Sequence, residues 1–263
     1  MMQPKAAIND FVIKFANVNG TGSASANGMF AKAIFRMGIP VSPRNIFPSN
    51  IQGLPTWYEV RISQDGYLGR RGGIDMMVSV NPQSFAKDVG EVEPGGYMLY
   101  DSTKPLDLRH VRRDIHYLGI PLTEMCLREY TDSRQRQLFK NVIYVGALSA
   151  LLNIDFSILK DLVSEQFKGK EKLITPNIHA LEMGHQYAST HFECPLGIHL
   201  KAGEQTPKHI QEFDQILMDG NTATALGAVY AGATVAAWYP ITPSTSVVDA
   251  FEKYCRRLRI DPG

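Results

Sequence analysis

The chain has 263 residues, of which 44% are hydrophobic and 20% are charged, and its formal net charge is +1. This composition supplies enough apolar material for one large or two modest domains, and the balanced charge excludes a bulk basic surface for nucleic acid or anionic lipid. The three cysteines, Cys126, Cys194 and Cys255, are far apart and form no Cys-x-x-Cys pair. Their spacing argues against a disulfide framework and against a zinc or iron–sulfur site held by this chain alone.

No targeting or membrane segment is expected. The sequence from Met1 to Asp10 contains one lysine and no long apolar stretch, which is unlike a signal peptide. No run of about 18 or more apolar residues occurs in the chain, so no membrane span is predicted. We therefore expect a cytoplasmic protein.

The first predicted elements are a strand, a glycine turn and a helix. The apolar run Phe11–Phe15 leads through Asn19-Gly20-Thr21-Gly22-Ser23 into Ala24–Met37, a stretch of helix formers that Gly38 and Pro40 terminate. A strand that feeds a helix through glycines is how parallel α/β sheets begin.

The middle of the chain continues the same pattern. The stretch Pro43–Gly73 has many turn residues and little periodicity, so we expect it to be irregular. Further strands are predicted at Asp75–Val80, Tyr97–Tyr100 and Ile115–Pro121, with a helix starting at Asn81-Pro82. Three helices are predicted at 134–152, 155–168 and 170–190, and the first has Leu138, Val142, Val145 and Leu148 on one face. The pattern predicts an α/β domain with an open, mostly parallel sheet.

The composition changes after His191. Prolines, glycines and mixed charges without a sustained period predict a surface linker over residues 192–214. A second α/β unit is then predicted to begin, with a helix at Ala223–Ala231, a strand at Thr234–Tyr239 and a helix at Val247–Leu258. A unit of this size cannot bury its own apolar faces, because a parallel strand needs cover on both sides. We therefore expect a continuation of the chain beyond Gly263, or else another polypeptide, to complete this sheet.

The strongest motif lies in this last part. It pairs Gly220-Asn221-Thr222-Ala223-Thr224-Ala225-Leu226-Gly227-Ala228 with Tyr239-Pro240-Ile241-Thr242-Pro243-Ser244-Thr245. The first half is a helix start that Asn221 or Thr222 could cap, and the prolines of the second half hold the backbone around Thr242 extended. A hydroxyl at the carboxyl end of a strand, beside a helix N-terminus, would suit a bound carboxylate. A rigid capped turn without a ligand is the alternative.

This pair of motifs closely resembles the opening of the pyrimidine-binding domain in the 2-oxoacid:ferredoxin oxidoreductase family. The resemblance implies that Tyr239, Pro240, Ile241 and Thr242 lie against thiamine diphosphate, and that Thr242 contacts the substrate's carboxylate end. It also implies that residues 215–263 are only the start of that domain. The glutamate that activates the cofactor is then expected downstream of Gly263.

The first part of the chain carries a second resemblance. Asn19-Gly20-Thr21-Gly22, the stretch from Phe47 to Trp57, and Gly69-Arg70-Arg71-Gly72-Gly73 are similar to the gamma domain of the same family. In two-subunit members that domain is fused ahead of the pyrimidine-binding domain, so residues 1–191 are interpreted as a gamma domain. The sequence of these stretches most resembles that of large (alpha) subunits of the 2-oxoglutarate type. Pyruvate- or indolepyruvate-specific relatives are the alternatives.

The glycine turn has two interpretations of its own. A dinucleotide site is disfavoured, because Ser25 replaces the third glycine of G-x-G-x-x-G and no acidic residue ends a second strand. Backbone N–H groups at the helix start could cradle a phosphate of coenzyme A, which makes Asn19, Gly20, Thr21, Gly22 and Ser23 candidates. The guanidinium of Arg71 is a further candidate, because its fork suits phosphate. The alternatives are a turn needed only for packing, and an arginine in a solvated loop or an interdomain ion pair.

The family resemblance implies an incomplete enzyme in this chain. Oxidative decarboxylation of a 2-oxoacid, or reductive carboxylation of succinyl-CoA, would use thiamine diphosphate, Mg²⁺, a [4Fe-4S] cluster, coenzyme A and ferredoxin. Mg²⁺ and the cluster are expected on a smaller beta subunit, and no nucleic-acid or membrane partner is expected. No metal is expected on this chain, since His179, His185 and His191 lack a matching glutamate. A non-catalytic nucleotide-binding α/β scaffold is the alternative outside enzymes.

Overall fold

The structure, a computed structural model, describes residues 3–18, 20–47, 54–202, 215–241 and 244–259. It divides into two compact units, Met1–Phe213 and Asp214–Gly263. The strands are β1 (Ala7–Ile8), β2 (Asp10–Val18), β3 (Val41–Ile46), β4 (Pro55–Ser63), β5 (Ile74–Ser79), β6 (Val92–Asp101), β7 (His116–Ile120) and β8 (Ile198–His199). The helices are α1 (Ser23–Arg36), α2 (Phe85–Glu91), α3 (Leu122–Glu129), α4 (Ser133–Leu151), α5 (Phe156–Gln166), α6 (Glu171–His191), α7 (Gly220–Tyr230) and α8 (Thr245–Leu258), and a 3-10 turn spans Leu108–His110.

The first unit is built on a six-stranded sheet in the order β3-β4-β2-β5-β6-β7. Strands β2, β5, β6 and β7 are parallel, whereas β4 runs antiparallel to both β2 and β3. The prediction of an α/β fold with a mostly parallel sheet is therefore confirmed. Three strands were predicted to start at Asp75, Tyr97 and Ile115. They start at Ile74, Val92 and His116, which is one to five residues from the predicted positions.

Alternate residues of β2 send apolar side chains to opposite faces of the sheet. On one face Phe15 packs edge-on against Phe30 of α1, with ring centroids 5.1 Å apart, and lies 5.9 Å from the ring of Tyr144 in α4. On the other face Val12 and Ala16 join a buried cluster that includes Val89 of α2. Helices α1 and α2 therefore cover different faces of the sheet. The chain leaves β2 toward one face and leaves its neighbour β5 toward the other face.

Helices α4 and α6 approach each other closely at two glycines. A Cβ atom on Gly184 would lie 1.9 Å from the backbone oxygen of Ile143, and one on Gly146 would lie 2.0 Å from the backbone oxygen of Leu181. No side chain can occupy either position without separating the helices. The pair of glycines therefore sets the distance between α4 and α6.

The expectation that Pro43–Gly73 is irregular was wrong. Strands β3 and β4 occupy much of it, and β4 pairs with β2 from Asp10 opposite Ser63 to Val18 opposite Pro55. The strand signal was hidden because Glu59 and Arg61 are charged yet buried. Each is paired, Glu59 with Arg70 and Arg61 with Asp10, which makes the burial of a charge tolerable.

Two smaller boundaries also differ from the predictions. The helix expected from Asn81-Pro82 begins at Phe85 instead. In the predicted linker, the part that the structure describes (192–202) packs on the first unit. Leu196 and Leu200 donate backbone hydrogen bonds to Leu151 and Leu152, at 2.8 and 2.9 Å, and β8 pairs with β1.

The second unit contains the helices α7 and α8, which pack through Ala225, Val229 and Phe251. The N-cap of α7 is Asp219, whose carboxylate accepts the Thr222 N–H at 2.9 Å, so the prediction of Asn221 or Thr222 as the cap was wrong. The predicted strand Thr234–Tyr239 is not a strand here, because no strand among this unit's described residues lies beside it. Its apolar side chains are left exposed, with Val235 at 82%.

No helix within the described ranges is both long and apolar enough to cross a bilayer.

Candidate functional site

The carboxyl ends of β2 and β5 form the point at which a ligand site is expected in such a sheet, because the crossovers diverge there to opposite faces. The two strand ends are tied together at this point. Val80 donates a backbone hydrogen bond to Ala16 at 3.2 Å, and the Asn81 side-chain amide donates to the Asn17 carbonyl, also at 3.2 Å.

The glycine turn lies directly after β2. Gly20 and Gly22 have φ values of 85° and 79°, a left-handed backbone that favours glycine. Thr21 closes the turn through its hydroxyl, which donates to the Val18 carbonyl at 2.8 Å, and Asn141 of α4 donates to the Thr21 carbonyl at 2.9 Å. Helix α1 then begins at Ser23 with no side-chain cap. Asn19, the first residue of the predicted phosphate turn, lies outside the described residues.

A buried polar network supports this turn, and no motif in the sequence indicates it. The Asn27 amide donates to the Asn17 side-chain oxygen at 2.9 Å, and the Tyr144 hydroxyl donates to Asn27 Oδ1 at 2.6 Å. Burial raises the pKa of Tyr144 well above its usual range, so the hydroxyl remains a donor at physiological pH. The network joins β2, α1 and α4, and it fixes the strand end from which the turn departs.

A cleft of about 390 Å³ opens beside Asn81 at the same edge of the sheet. One wall comes from the loop after β5 and the start of α2, and the other from the connection after β6. The residues that line it are Ser79, Val80, Asn81, Pro82, Gln83, Phe85, Ala86, Tyr100, Asp101, Lys104, Pro105, Leu106, Asp107 and His110. None of these residues is predicted as a site residue from the sequence.

Two carboxylates hold the walls of this cleft, the fully buried Asp88 and the partly buried Asp101. Asp88 accepts from Trp57 Nε1 at 2.8 Å, from the Ser79 hydroxyl at 2.9 Å and from the Ser84 hydroxyl at 2.7 Å. Burial raises the pKa of Asp88 despite these hydrogen bonds. On the opposite wall, Asp101 accepts from the Thr103 hydroxyl at 2.7 Å and from the Thr123 hydroxyl and N–H.

The structure does not bring Arg71 to the glycine turn. Its guanidinium pairs with the fully buried carboxylate of Asp75, which also pairs with Lys5 and accepts the Val12 N–H at 2.7 Å. Arg71 precedes the start of β5, whereas Gly20–Ser23 follow the end of the parallel neighbour β2. The two are thus separated by about the length of β5, roughly 20 Å at about 3.3 Å per residue.

The proline loop of the second unit is folded by Ser244. The Ser244 hydroxyl donates to the Ile241 carbonyl at 2.6 Å, lies 3.1 Å from the Tyr239 carbonyl, and does not cap α8. Tyr239 and Ile241 are 86% and 61% exposed, so the loop presents an apolar surface. Thr242, the predicted substrate ligand, lies outside the described residues, and Pro240 is exposed.

Residues 12–187, most of the first unit and about two thirds of the chain, match the family described as pyruvate ferredoxin/flavodoxin oxidoreductase. The chain belongs to this family. The match includes the glycine turn, the cleft and the α4–α6 crossing, so these features belong to the family's domain and not to an appended segment.

Relatives extend the likeness over nearly the whole chain. The alpha subunit of 2-oxoacid:ferredoxin oxidoreductase 2 from Aeropyrum pernix is 25% identical over 93% of this chain and 43% of its own length. The 2-oxoglutarate:ferredoxin oxidoreductase from Magnetococcus marinus, solved with 2-oxoglutarate, coenzyme A and succinyl-CoA bound, matches 96% of this chain and 42% of its own, with a TM-score of 0.80 and 24% identity. The pyruvate oxidoreductase subunit PORC of Thermotoga maritima matches 68% of this chain and 96% of its own, with a TM-score of 0.55 and 21% identity. This chain therefore spans less than half the length of the first two.

The histidines singled out in the sequence have separate surroundings in the first unit. His179 lies 2.9 Å from Glu129, His185 lies 2.8 Å from the Ser149 hydroxyl, and His191 stacks on Tyr187 with ring centroids 4.0 Å apart. Within the described ranges, no cluster of three or more histidine, cysteine, aspartate or glutamate side chains could hold a metal ion.

Asp101 is expected to make the stability of the first unit sensitive to acid. Burial raises the pKa of Asp101, but hydrogen bonds from Thr123 and Thr103 and the Lys140 ammonium 3.8 Å away outweigh it, so the net pKa lies below the usual range. Because the folded-state pKa of Asp101 lies below the unfolded value of about 4, the ionised carboxylate stabilises the fold at pH values above about 4. This stabilisation is lost as pH falls through the folded-state pKa.

Asp101→Asn should therefore lower the free energy of unfolding at pH 7 by about 2 kcal/mol, the usual scale for hydrogen bonds to a charged group. The difference between the variant and the original protein should shrink as pH falls through the lowered folded-state pKa of Asp101. Urea unfolding followed by tryptophan fluorescence at a series of pH values measures both. A stability difference that stays constant from pH 7 to pH 2 would show that the charge of Asp101 contributes nothing.

Proposed function

We propose that this chain is part of the large (alpha) subunit of a thiamine-diphosphate-dependent 2-oxoacid:ferredoxin oxidoreductase that acts on 2-oxoglutarate. The observation that carries the proposal is the family match of residues 12–187 followed, in the same chain, by Gly220–Ala228 and the Tyr239–Thr245 motif. Residues 1–191 would be the gamma domain, 192–214 a connection, and 215–263 the start of the pyrimidine-binding domain. The subunit PORC of Thermotoga maritima is a separate chain that matches 68% of this chain over 96% of its own length, which supports a gamma domain that can form a unit by itself.

Tyr239, Pro240, Ile241 and Thr242 would lie against thiamine diphosphate. The exposed apolar loop fits this role, because Tyr239 and Ile241 offer a surface that a ring could cover while Ser244 keeps the turn folded. When bound, the cofactor supplies a carbanion equivalent and an electron sink for decarboxylation. The Thr242 hydroxyl would donate a hydrogen bond to the substrate carboxylate, beside the start of α8, where helix N–H groups favour negative charge.

The remaining redox groups would come from other chains. Cys126 is buried in the first unit and burial raises its pKa to about 11, so its thiol is a poor iron ligand. Cys194 is also in the first unit and Cys255 lies in the second. We propose that a smaller beta subunit holds Mg²⁺ and the [4Fe-4S] cluster, and that ferredoxin accepts the electrons.

Coenzyme A would bind the first unit through a phosphate at the glycine turn, residues Asn19, Gly20, Thr21, Gly22 and Ser23. The uncapped start of α1 and the left-handed backbone at Gly20 and Gly22 support this assignment, since such turns present N–H groups to anions. Arg71 was a candidate for the same ligand. Its ion pair with Asp75 supports a structural role instead.

The kinetic test is the ferredoxin reduction rate of the protein purified with its smaller subunit, measured with 2-oxoglutarate, pyruvate and indolepyruvate. We expect 2-oxoglutarate to give the highest kcat/KM, together with broad iron–sulfur absorption of the complex. A colourless protein that binds no partner would overturn the proposal in favour of a non-catalytic scaffold.

An Arg71→Ala variant separates the two roles of that arginine. Removing one partner of a buried carboxylate leaves Asp75 less well compensated, and we expect unfolding to become easier by about 3 kcal/mol, with Lys5 limiting the loss. The KM for coenzyme A should stay unchanged. Arg128→Ala, which breaks an exposed pair with Glu124 on α3, is the matched control and should change neither quantity. A rise in the coenzyme A KM at unchanged stability would return Arg71 to the binding site.

A further inference from the structure

The cleft at the carboxyl edge of β5 and β6 has the shape and chemistry of a small-molecule site. Its volume of about 390 Å³ falls in the range of ligand pockets, which run from about 300 to 1,000 Å³. It lies beside Asn81, which is bonded to the end of β2 from which the glycine turn departs. No residue of the cleft has a part in the thiamine diphosphate or turn assignments made above.

The two walls suit a flat apolar ring. Val80, Pro82 and Phe85 belong to the wall formed by the loop after β5 and the start of α2, and Pro105 and Leu106 belong to the facing wall. Apolar side chains on two sides of a cleft stabilise a planar heterocycle by excluding water from its faces. The exposed carboxamide of Gln83 can both donate and accept, which is the pattern that pairs with adenine.

The charges on the rim favour an anion. Each carboxylate already has a cation beside it, since Asp101 lies 3.8 Å from the Lys140 ammonium and Asp107 Oδ2 lies 2.6 Å from the Arg109 guanidinium. His110 lies 4.0 Å from Asp107, and Lys104 forms no ion pair with any residue in the described ranges. The Lys104 ammonium is thus available to a phosphate group attached to the ring.

We propose that this cleft binds an adenine nucleotide, with the base between the two walls and a phosphate on Lys104. The same chemistry is present in a free nucleotide such as ADP and in the nucleotide end of coenzyme A. Only the second source rests on the proposed function. The Lys104 contact should weaken with salt, because Lys104 is exposed and its charge is screened.

Titration calorimetry of the purified protein with ADP, coenzyme A and inorganic phosphate tests the proposal. We expect Lys104→Gln to raise the Kd for ADP about tenfold, the scale of one charge-assisted hydrogen bond. Ala86→Trp should raise it at least as much, because Ala86 lines the cleft at an exposed position where a large ring fills the space without disturbing the core. Lys172→Gln, which removes an exposed lysine of α6, is the matched control and should leave the Kd unchanged.

The two sources give different results. If both cleft variants weaken ADP and coenzyme A together, the cleft holds the nucleotide end of coenzyme A. If they weaken ADP alone, the cleft is a site for a free nucleotide. Failure of ADP to bind, or binding that neither variant changes, would overturn the proposal. These measurements need no turnover, so a failure of the proposed oxidoreductase activity would leave their outcome intact.

Discussion

Gly184→Ala should destabilise the first unit by at least about 3 kcal/mol. The added Cβ atom would lie 1.9 Å from the Ile143 carbonyl oxygen and 2.8 Å from the Ala147 nitrogen, and backbone atoms cannot turn aside as a flexible side chain can. Overpacking of a closed core costs about 1–3 kcal/mol and more when backbone must move. The gain in helix propensity from glycine to alanine, about 1 kcal/mol, offsets only part of this cost.

Gly28→Ala is the matched control, because Gly28 lies within α1 and a Cβ atom there would meet no atom within 4 Å. That substitution should stabilise the protein by up to about 1 kcal/mol through helix propensity alone. Urea unfolding followed by circular dichroism compares the two variants. Equal behaviour of Gly184→Ala and Gly28→Ala would mean that α4 and α6 do not approach as closely as the structure indicates.

The close approach of α4 and α6 illustrates what sequence patterns leave out. The helical periods of both segments are clear from local spacing, and both helices were predicted to within a few residues. The backbone contact at Gly146 and Gly184 depends on which helix packs on which, a choice made between segments about 38 positions apart in sequence. Nothing local to either glycine reveals its partner.

The same distinction explains the errors in the sheet. Strands β2, β5, β6 and β7 have apolar runs that remain visible alone, whereas β4 carries Glu59 and Arg61 at buried positions. Those charges are neutralised by Arg70 and Asp10, on other segments of the chain. The alternating apolar pattern that predicts a strand treats every charged residue as exposed. A strand whose buried charges are paired with distant residues therefore lacks that pattern.

The site residues also divide into those that a local sequence pattern indicates and those that depend on contacts between distant segments. The glycine turn was located from its own sequence, since left-handed backbone at Gly20 and Gly22 is a local requirement. The network of Asn27 and Tyr144 that supports it joins residues 117 positions apart and has no local signal. Arg71 looked like an anion ligand beside its glycines, although Asp75, four residues later, was the available clue to its pairing.

Thr242→Ala should lower kcat/KM for the 2-oxoacid about ten- to a hundredfold in the enzyme assembled with its smaller subunit. One hydrogen bond to a charged carboxylate is worth about 1.5–3 kcal/mol, and the loss would appear in the step that binds and orients the substrate. Thr242→Ser retains the hydroxyl and should recover most of the rate. The stability of the second unit should be unchanged, because α7 and α8 pack through Ala225, Val229 and Phe251.

Thr224→Ala supplies the comparison within the same unit. Its exposed hydroxyl donates only along α7, to the Gly220 carbonyl at 2.8 Å, so its loss should leave turnover as it was. Steady-state ferredoxin reduction across a range of 2-oxoacid concentrations separates the variants, and bound thiamine diphosphate is quantified in each. If Thr242→Ala loses the cofactor along with activity, the threonine holds the cofactor and not the carboxylate. If Thr242→Ala matches Thr224→Ala in every measurement, the proline-bounded loop is only a rigid turn, and the carboxylate must be bound by another part of the assembled enzyme.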